Sequence, residues 1–153
     1  MLHFIKDKNI FNVNAKYLIN PVNCIGVMGK GLALEFKKKY PKMFNTYKLH
    51  CNNREINPGH ITFIADGEHV IVLFPTKRHW RDKSKIEDID NGLKDLSKQI
   101  DIILATGNNI SIAIPRIGCG LGGLNWKYQV KPLINERLKK YADSERIEII
   151  VLE

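Results

Sequence analysis

The sequence predicts an α/β protein, a sheet with helices laid on it, and three observations carry that prediction. Short apolar runs of strand length alternate with longer stretches whose apolar residues recur at helical spacing. Two glycine-rich loops, at 22–31 and 117–124, each lie between a strand-like run and a helical stretch. A third loop, 75–83, also leaves a strand-like run, and an open α/β sheet holds ligands at the carboxyl ends of its strands.

In chain order the strand-like runs are 2–6, 17–20, 61–65, 70–74, 111–114 and 147–152, and helical stretches begin near Lys30, Pro41, Ser84 and Asn125. The first helix ends in Lys37, Lys38 and Lys39, where cations suit the negative end of the dipole and face water. The third opens with Ser84 and Glu87 at capping-box spacing, followed by Ile86, Ile89, Leu93 and Leu96 on one face. In the fourth, Val130, Leu133, Ile134 and Leu138 form the stripe expected to be buried. No linker, low-complexity tract or internal repeat divides the chain, so 1–153 reads as a single domain.

Composition narrows the class. With 44% hydrophobic and 26% charged residues the chain reads as an ordinary soluble protein. The N-terminus lacks a signal segment and no apolar run approaches a membrane span, which predicts a cytoplasmic protein without membrane contact. Cys24, Cys51 and Cys119 are odd in number and lack C-x-x-C spacing, so neither a disulfide framework nor a metal site is expected. Neither loop thiol has a base beside it in sequence, so Cys24 and Cys119 read as packing residues. The net charge of +8 points to a polyanionic partner.

The first loop, Val22-Asn23-Cys24-Ile25-Gly26-Val27-Met28-Gly29-Lys30-Gly31, sets glycines ahead of a helix, where outward-turned N–H groups and the positive dipole end suit an anion. The second, Ile117-Gly118-Cys119-Gly120-Leu121-Gly122-Gly123-Leu124, matches G-x-G-x-x-G, but only about 30 residues follow it, too few for a dinucleotide-binding Rossmann unit. The first is no P-loop, since Cys24 and Gly31 replace the required glycine and hydroxyl residues. Two such loops can close on one diphosphate; read singly, each is also an ordinary strand-to-helix turn. In Lys77-Arg78-His79-Trp80-Arg81-Asp82-Lys83 an aromatic is interleaved with cations, the composition of a site that grips phosphates and stacks a base.

Those two loops, with the block 74–81 and the extension of the second loop over 114–126, resemble a macro domain, a three-layer α/β/α module with a mixed central sheet that binds ADP-ribose. Within the family the resemblance is to the macro domains of DarG antitoxins, which remove ADP-ribose from DNA modified by a DarT toxin. The resemblance implies an ADP-ribosyl glycohydrolase acting on thymidine-linked ADP-ribose in single-stranded DNA, with a DarT-like toxin as a partner and no cofactor. It implies that Asn23 bonds the distal ribose, and that Gly29, Lys30, Gly31 and Gly118, Cys119, Gly120, Leu121, Gly122, Gly123 cradle the diphosphate and that ribose. Thr76 joins this ligand-binding set, and the adenine amino group is assigned to Asn9. The catalytic lysine corresponds to Lys77, while the aspartate of a glutamate-directed relative corresponds to Gly122. Arg78, His79, Trp80 and Arg81 become the nucleic-acid contacts.

The residues agree with a lysine chemistry. Segments 20–34 and 114–126 contain no Asp or Glu, which argues against the two-carboxylate route of ordinary glycosidases. Lys77 can act through its charge on the departing base, as a proton carrier, or as an amine on an opened C1″ aldehyde, and Arg78 and Arg81 are expected to lower its proton affinity. His79 is a second acid or base candidate. A reader that only binds ADP-ribose, or a hydrolase of glutamate-linked ADP-ribose or its esters, stands as the alternative.

Overall fold

The computed structural model describes residues 1–153. Six strands, β1 (Leu2–Ile5), β2 (Tyr17–Val22), β3 (Thr62–Asp66), β4 (His69–Pro75), β5 (Ile110–Ile114) and β6 (Ile147–Leu152), form one sheet in the order β1-β6-β5-β2-β4-β3. All neighbours run parallel except the hairpin partners β3 and β4, so the sheet is mixed.

Both faces are covered. Successive strand residues point to opposite sides, so Leu18, Ile71, Leu73, Ala113 and Ile150 enter one core while Ile19, Val72, Phe74, Ile112 and Ile149 enter the other. The first core is closed by α1 (Gly31–Lys39) and α2 (Pro41–Asn52) through Phe36, Met43 and Tyr47. The second is closed by α3 (Ile86–Ala105) and α4 (Lys131–Leu138) through Ile89, Leu93, Leu96, Ile100, Ile134 and Leu138. Three layers α/β/α result, as the resemblance implied.

The helices begin close to the expected places, with two differences. Ser84 does not cap α3: Lys85 holds the N-cap position without a side-chain bond, and the Ser84 hydroxyl is buried with no partner. The backbone N–H of Ser84 is taken by the carbonyl of Gly122 at 2.9 Å, which fixes Ser84 against the second glycine loop instead. The fourth helical stretch starts with a wide turn over Trp126–Val130, capped by Asn125, whose side chain accepts from the N–H of Tyr128.

The crevice follows from pairing and topology. β2 pairs with β4 along its whole length but with β5 only at Tyr17 and Leu18, so β2 and β5 part towards their carboxyl ends. Pro21 has no N–H to continue a ladder and sits in the part of β2 that keeps only its β4 partner. Beyond the parting, β2 leads to α1 on one face and β5 to α4 on the other, the switch point at which α/β sheets bind ligands.

Candidate active site

At the parting lies a cleft of about 660 Å³, lined from three loops: Asn23 to Ala33 after β2, Thr76, Lys77 and Trp80 after β4, and Pro115 to Gly122 after β5. This is within the roughly 300–1,000 Å³ of small-molecule sites. No lining residue is Asp or Glu.

The first loop is held by one side chain. Asn23 is only 8% exposed; its Nδ2 donates to the Val27 carbonyl at 2.7 Å, and its Oδ1 accepts from the N–H groups of Ile25 and Val27 at 3.1 and 3.4 Å. The Tyr47 hydroxyl from α2 also reaches Asn23, 2.8 Å from Oδ1 and 2.9 Å from its carbonyl. Burial first, then the neighbouring Cys51, pushes the Tyr47 phenol far above its ordinary range, so it stays a donor. With Oδ1 saturated, Asn23 retains one Nδ2 hydrogen for a ligand. The loop ends at α1, whose N-cap Lys30 offers no side-chain bond. The N–H groups of Gly31, Leu32 and Ala33 therefore have no helical partner, and these residues line the cleft, a site for anionic oxygen.

The second loop is held by its own backbone: Cys119 donates to Arg116, Gly123 to Gly120, and Leu124 to Gly118. The N–H groups of Gly118, Gly120, Leu121 and Gly122 are left without protein partners, and these residues line the cleft. Gly118 holds φ +75°, a left-handed conformation that favours glycine. At Gly122 space decides: a Cβ there would lie 2.3 Å from Ser84 Oγ and 2.5 Å from the Gly118 carbonyl oxygen. No aspartate fits at this position without moving the loop.

The third loop carries the candidate chemistry. Lys77 is half-buried, and its Nζ donates to the Trp80 carbonyl at 3.2 Å. Its proton affinity is lowered, as expected, but the causes are burial first and Lys83 second, opposed by Asp82, rather than Arg78 and Arg81. The Arg78 guanidinium bonds Asp88 of α3 at 2.9 and 3.5 Å, and its carbonyl accepts from the Cys24 N–H at 3.1 Å. Arg78 thus ties the Lys77 loop to α3 and to the first glycine loop, while its side chain stays 56% exposed. His79, Trp80 and Arg81 form a stack: the imidazole lies 5.3 Å from the indole, and the guanidinium 4.7 Å above it. The His79 Nδ1 accepts from the Arg81 N–H, which occupies the lone pair a general base would use.

Of the residues expected from sequence, Asn23, Gly29, Lys30, Gly31, Thr76, Lys77, Trp80, Gly118, Cys119, Gly120, Leu121 and Gly122 come together around the cleft. Gly123, Arg78, His79 and Arg81 are not among the residues that line it. Asn9 is outside the lining, and its side-chain oxygen accepts from the Phe11 N–H at 2.9 Å as the cap of a short 3₁₀ turn, Ile10–Asn12. Burial raises the Cys24 and Cys119 thiols to about 11, so both stay protonated, consistent with packing residues. Sequence reasoning gave no site role of their own to Tyr47, Lys83, Ser84, Asp88 and Arg116; of these Lys83, in the basic cluster, and Arg116, beside the second loop, carried a local signal. No group of three His, Cys, Asp or Glu residues is placed to share a metal ion, and no helix is long and apolar enough to cross a membrane.

A family model described as Macro domain matches residues 19–132. The DNA ADP-ribosyl glycohydrolase of Mycobacterium tuberculosis is 42% identical over 123 residues, covering 78% of this chain and 34% of that protein. The chain thus spans about a third of that relative's length. Among solved structures, the macrodomain of Thermus aquaticus DarG superposes with a TM-score of 0.87 at 37% identity, covering 100% of this chain and 98% of that one. Thermosipho africanus DarTG in complex with ADP-ribose superposes at 0.78 with 31% identity, covering 95% of this chain and 40% of that one.

Proposed function

The chain belongs to the macro domain family, and we propose that it hydrolyses the bond joining ADP-ribose to a base of single-stranded DNA, thymidine in the first place. The observation that carries this reading is a half-buried lysine of lowered proton affinity at a cleft that contains no carboxylate. Two facing sets of free backbone N–H groups suit a diphosphate, and the similarity to DarG macrodomains, one of them within a structure described as a complex with ADP-ribose, supports that ligand. The same relatives support a DarT-like toxin as the source of the modified DNA.

In the proposed reaction the C1″–N bond breaks with its electron pair on the base nitrogen, water supplies the hydroxyl taken by C1″, and a proton reaches the base. Lys77 serves as the proton carrier next to the departing base. Its weakened hold on the proton favours delivery near neutral pH, since transfer is most efficient when the group's affinity lies near the operating pH. Asn23 orients the distal ribose through its free Nδ2 hydrogen. Trp80, 44% exposed, offers a face for a neighbouring base, and Arg81 holds flanking phosphate. The alternative of glutamate-linked ADP-ribose is disfavoured by Gly122, where Ser84 and Gly118 leave no space for an aspartate side chain.

One experiment tests both substrate and residue. Thymidine-linked, guanosine-linked and glutamate-linked ADP-ribose are offered side by side to the wild type and to Lys77→Ala. The expected outcome is fastest release from thymidine-linked DNA and loss of release in the variant, with ADP-ribose affinity kept within about tenfold, roughly 1.4 kcal/mol. Equal or faster turnover of the glutamate-linked substrate overturns the DNA assignment. Unchanged turnover in the variant removes the lysine mechanism, and no turnover of any substrate by the wild type, with ADP-ribose bound, leaves a reader.

A further inference from the structure

The two helical layers differ sharply in charge. Residues 30–54, which span α1 and α2, hold seven Lys or Arg and one acidic residue, Glu35. All seven cations are exposed and none is ion-paired to a carboxylate; every Lys or Arg ion pair of the molecule lies elsewhere. On the opposite face α3 carries Glu87, Asp88, Asp90, Asp95 and Asp101 against Lys94 and Lys98. There the charges are largely compensated, with Asp88 on Arg78, Asp90 on Arg137 and Asp101 on Lys140. The net charge of +8 is therefore concentrated on one side of the sheet.

That side is continuous with the cleft. α1 starts at the anion-binding loop and runs away from it, and at about 1.5 Å per residue Lys37, Lys38 and Lys39 sit about 9–12 Å along the axis from its first residue, Gly31. That distance brings these ammonium groups within reach of the phosphates next to a nucleotide held in the cleft. Lys37 and Lys39 lie over the rings of Phe44 and Phe11, 4.4 and 5.0 Å from the centroids, so aromatic surface and ammonium groups are presented together. Lys42 and Lys48 add two further exposed cations on α2. Uncompensated like charges repel one another, and a polyanion laid across them relieves that repulsion and releases its own counterions.

We infer that the α1–α2 face is a second contact surface for single-stranded DNA, gripping the phosphates of nucleotides that flank the modified base. The inference rests on the substrate proposed above and extends it from the cleft to the strand around it. Neutral substitutions at exposed positions outside the cleft test it. The variant Lys37→Gln, Lys38→Gln, Lys39→Gln, Lys42→Gln, Lys48→Gln is compared with the wild type, with thermal melting to check the fold. Binding of unmodified oligothymidylate of 6 and 20 nucleotides is read by fluorescence anisotropy at 50 and 200 mM salt, and ADP-ribose affinity by calorimetry.

The wild type is expected to bind the 20-mer more tightly than the 6-mer. The variant should lose at least about tenfold on the 20-mer, with a salt dependence shallower by about 0.7 per phosphate contact removed, and keep its ADP-ribose affinity. Unchanged 20-mer affinity in the variant overturns the inference, as does tighter wild-type binding to vesicles containing phosphatidylserine or to a polyglutamate peptide than to the 20-mer. The two readings fail separately. Oligonucleotide binding that depends on these lysines without release of ADP-ribose removes only the hydrolase; release from DNA with binding indifferent to the lysines removes only this face.

Discussion

The two loops that face each other across the cleft reach the same result by opposite means. Residues 23–30 are shaped by one polar side chain, with Asn23 bonded to Ile25, Val27 and Tyr47. Residues 115–125 are shaped by main-chain bonds and by the lack of a side chain at Gly122. The first loop is therefore vulnerable to what is removed and the second to what is added. Both outcomes leave backbone N–H groups turned to the ligand, which no side-chain inventory would reveal.

The largest effect should come from addition. Gly122→Ala places a Cβ 2.3 Å from Ser84 Oγ and 2.5 Å from the Gly118 carbonyl, and the loop has to move. Calorimetry should show ADP-ribose affinity reduced by about 100-fold, roughly 2.7 kcal/mol. Affinity within threefold of the wild type would mean that the shape of the second loop does not matter to binding.

Removal comes next. Asn23→Ala takes away the acceptor shared by Ile25, Val27 and Tyr47, and a buried donor left unpaired costs about 1–3 kcal/mol. Chemical denaturation should show a loss in that range, together with weaker ADP-ribose binding. Tyr47→Phe sharpens the comparison: it leaves Asn23 its two backbone donors, so the loss should be smaller, about 1 kcal/mol. A Tyr47→Phe loss equal to that of Asn23→Ala would place the loop's support in α2 rather than in Asn23.

The smallest effect on stability is expected at Gly120, where an added Cβ meets nothing within 4 Å. Gly120→Val should melt at the wild-type temperature yet bind ADP-ribose about fivefold more weakly, because a branched side chain stands before the free N–H groups of this loop. A fall in melting temperature with unchanged affinity would reverse the assignment and make this glycine structural.

Much of the fold was legible in the chain. Val70 to Phe74 and 147–152 are apolar runs of strand length, and the structure adds only His69 and Pro75 to the former and nothing to the latter. The strand at 17–20 was cut short at Pro21, which one-sided pairing with β4 tolerates. The twelve cleft-lining residues foreseen cluster because each follows one of three adjacent strands. Ser84 misled because its spacing to Glu87 is that of a capping box, while a contact with Gly122, 38 positions away, takes its backbone elsewhere. The pairing of Arg78 with Asp88 was hidden for the same kind of reason, as Asp88 lies on the inner side of a helix turn that sequence does not orient.

The sequence by itself determined the alternation of strands and helices, the two glycine loops, the carboxylate-free motifs and the net positive charge, because each is a property of neighbouring residues and local spacing. Only the tertiary structure decided that β2 and β5 part to open the cleft, and that Tyr47 buttresses Asn23. The same holds for Ser84 closing the space at Gly122, for burial and Lys83 rather than the arginines weakening the Lys77 proton, and for the positive charge gathering on one face. These depend on which distant segments meet, and hydrogen bonding, exclusion of volume and desolvation act only between groups in contact.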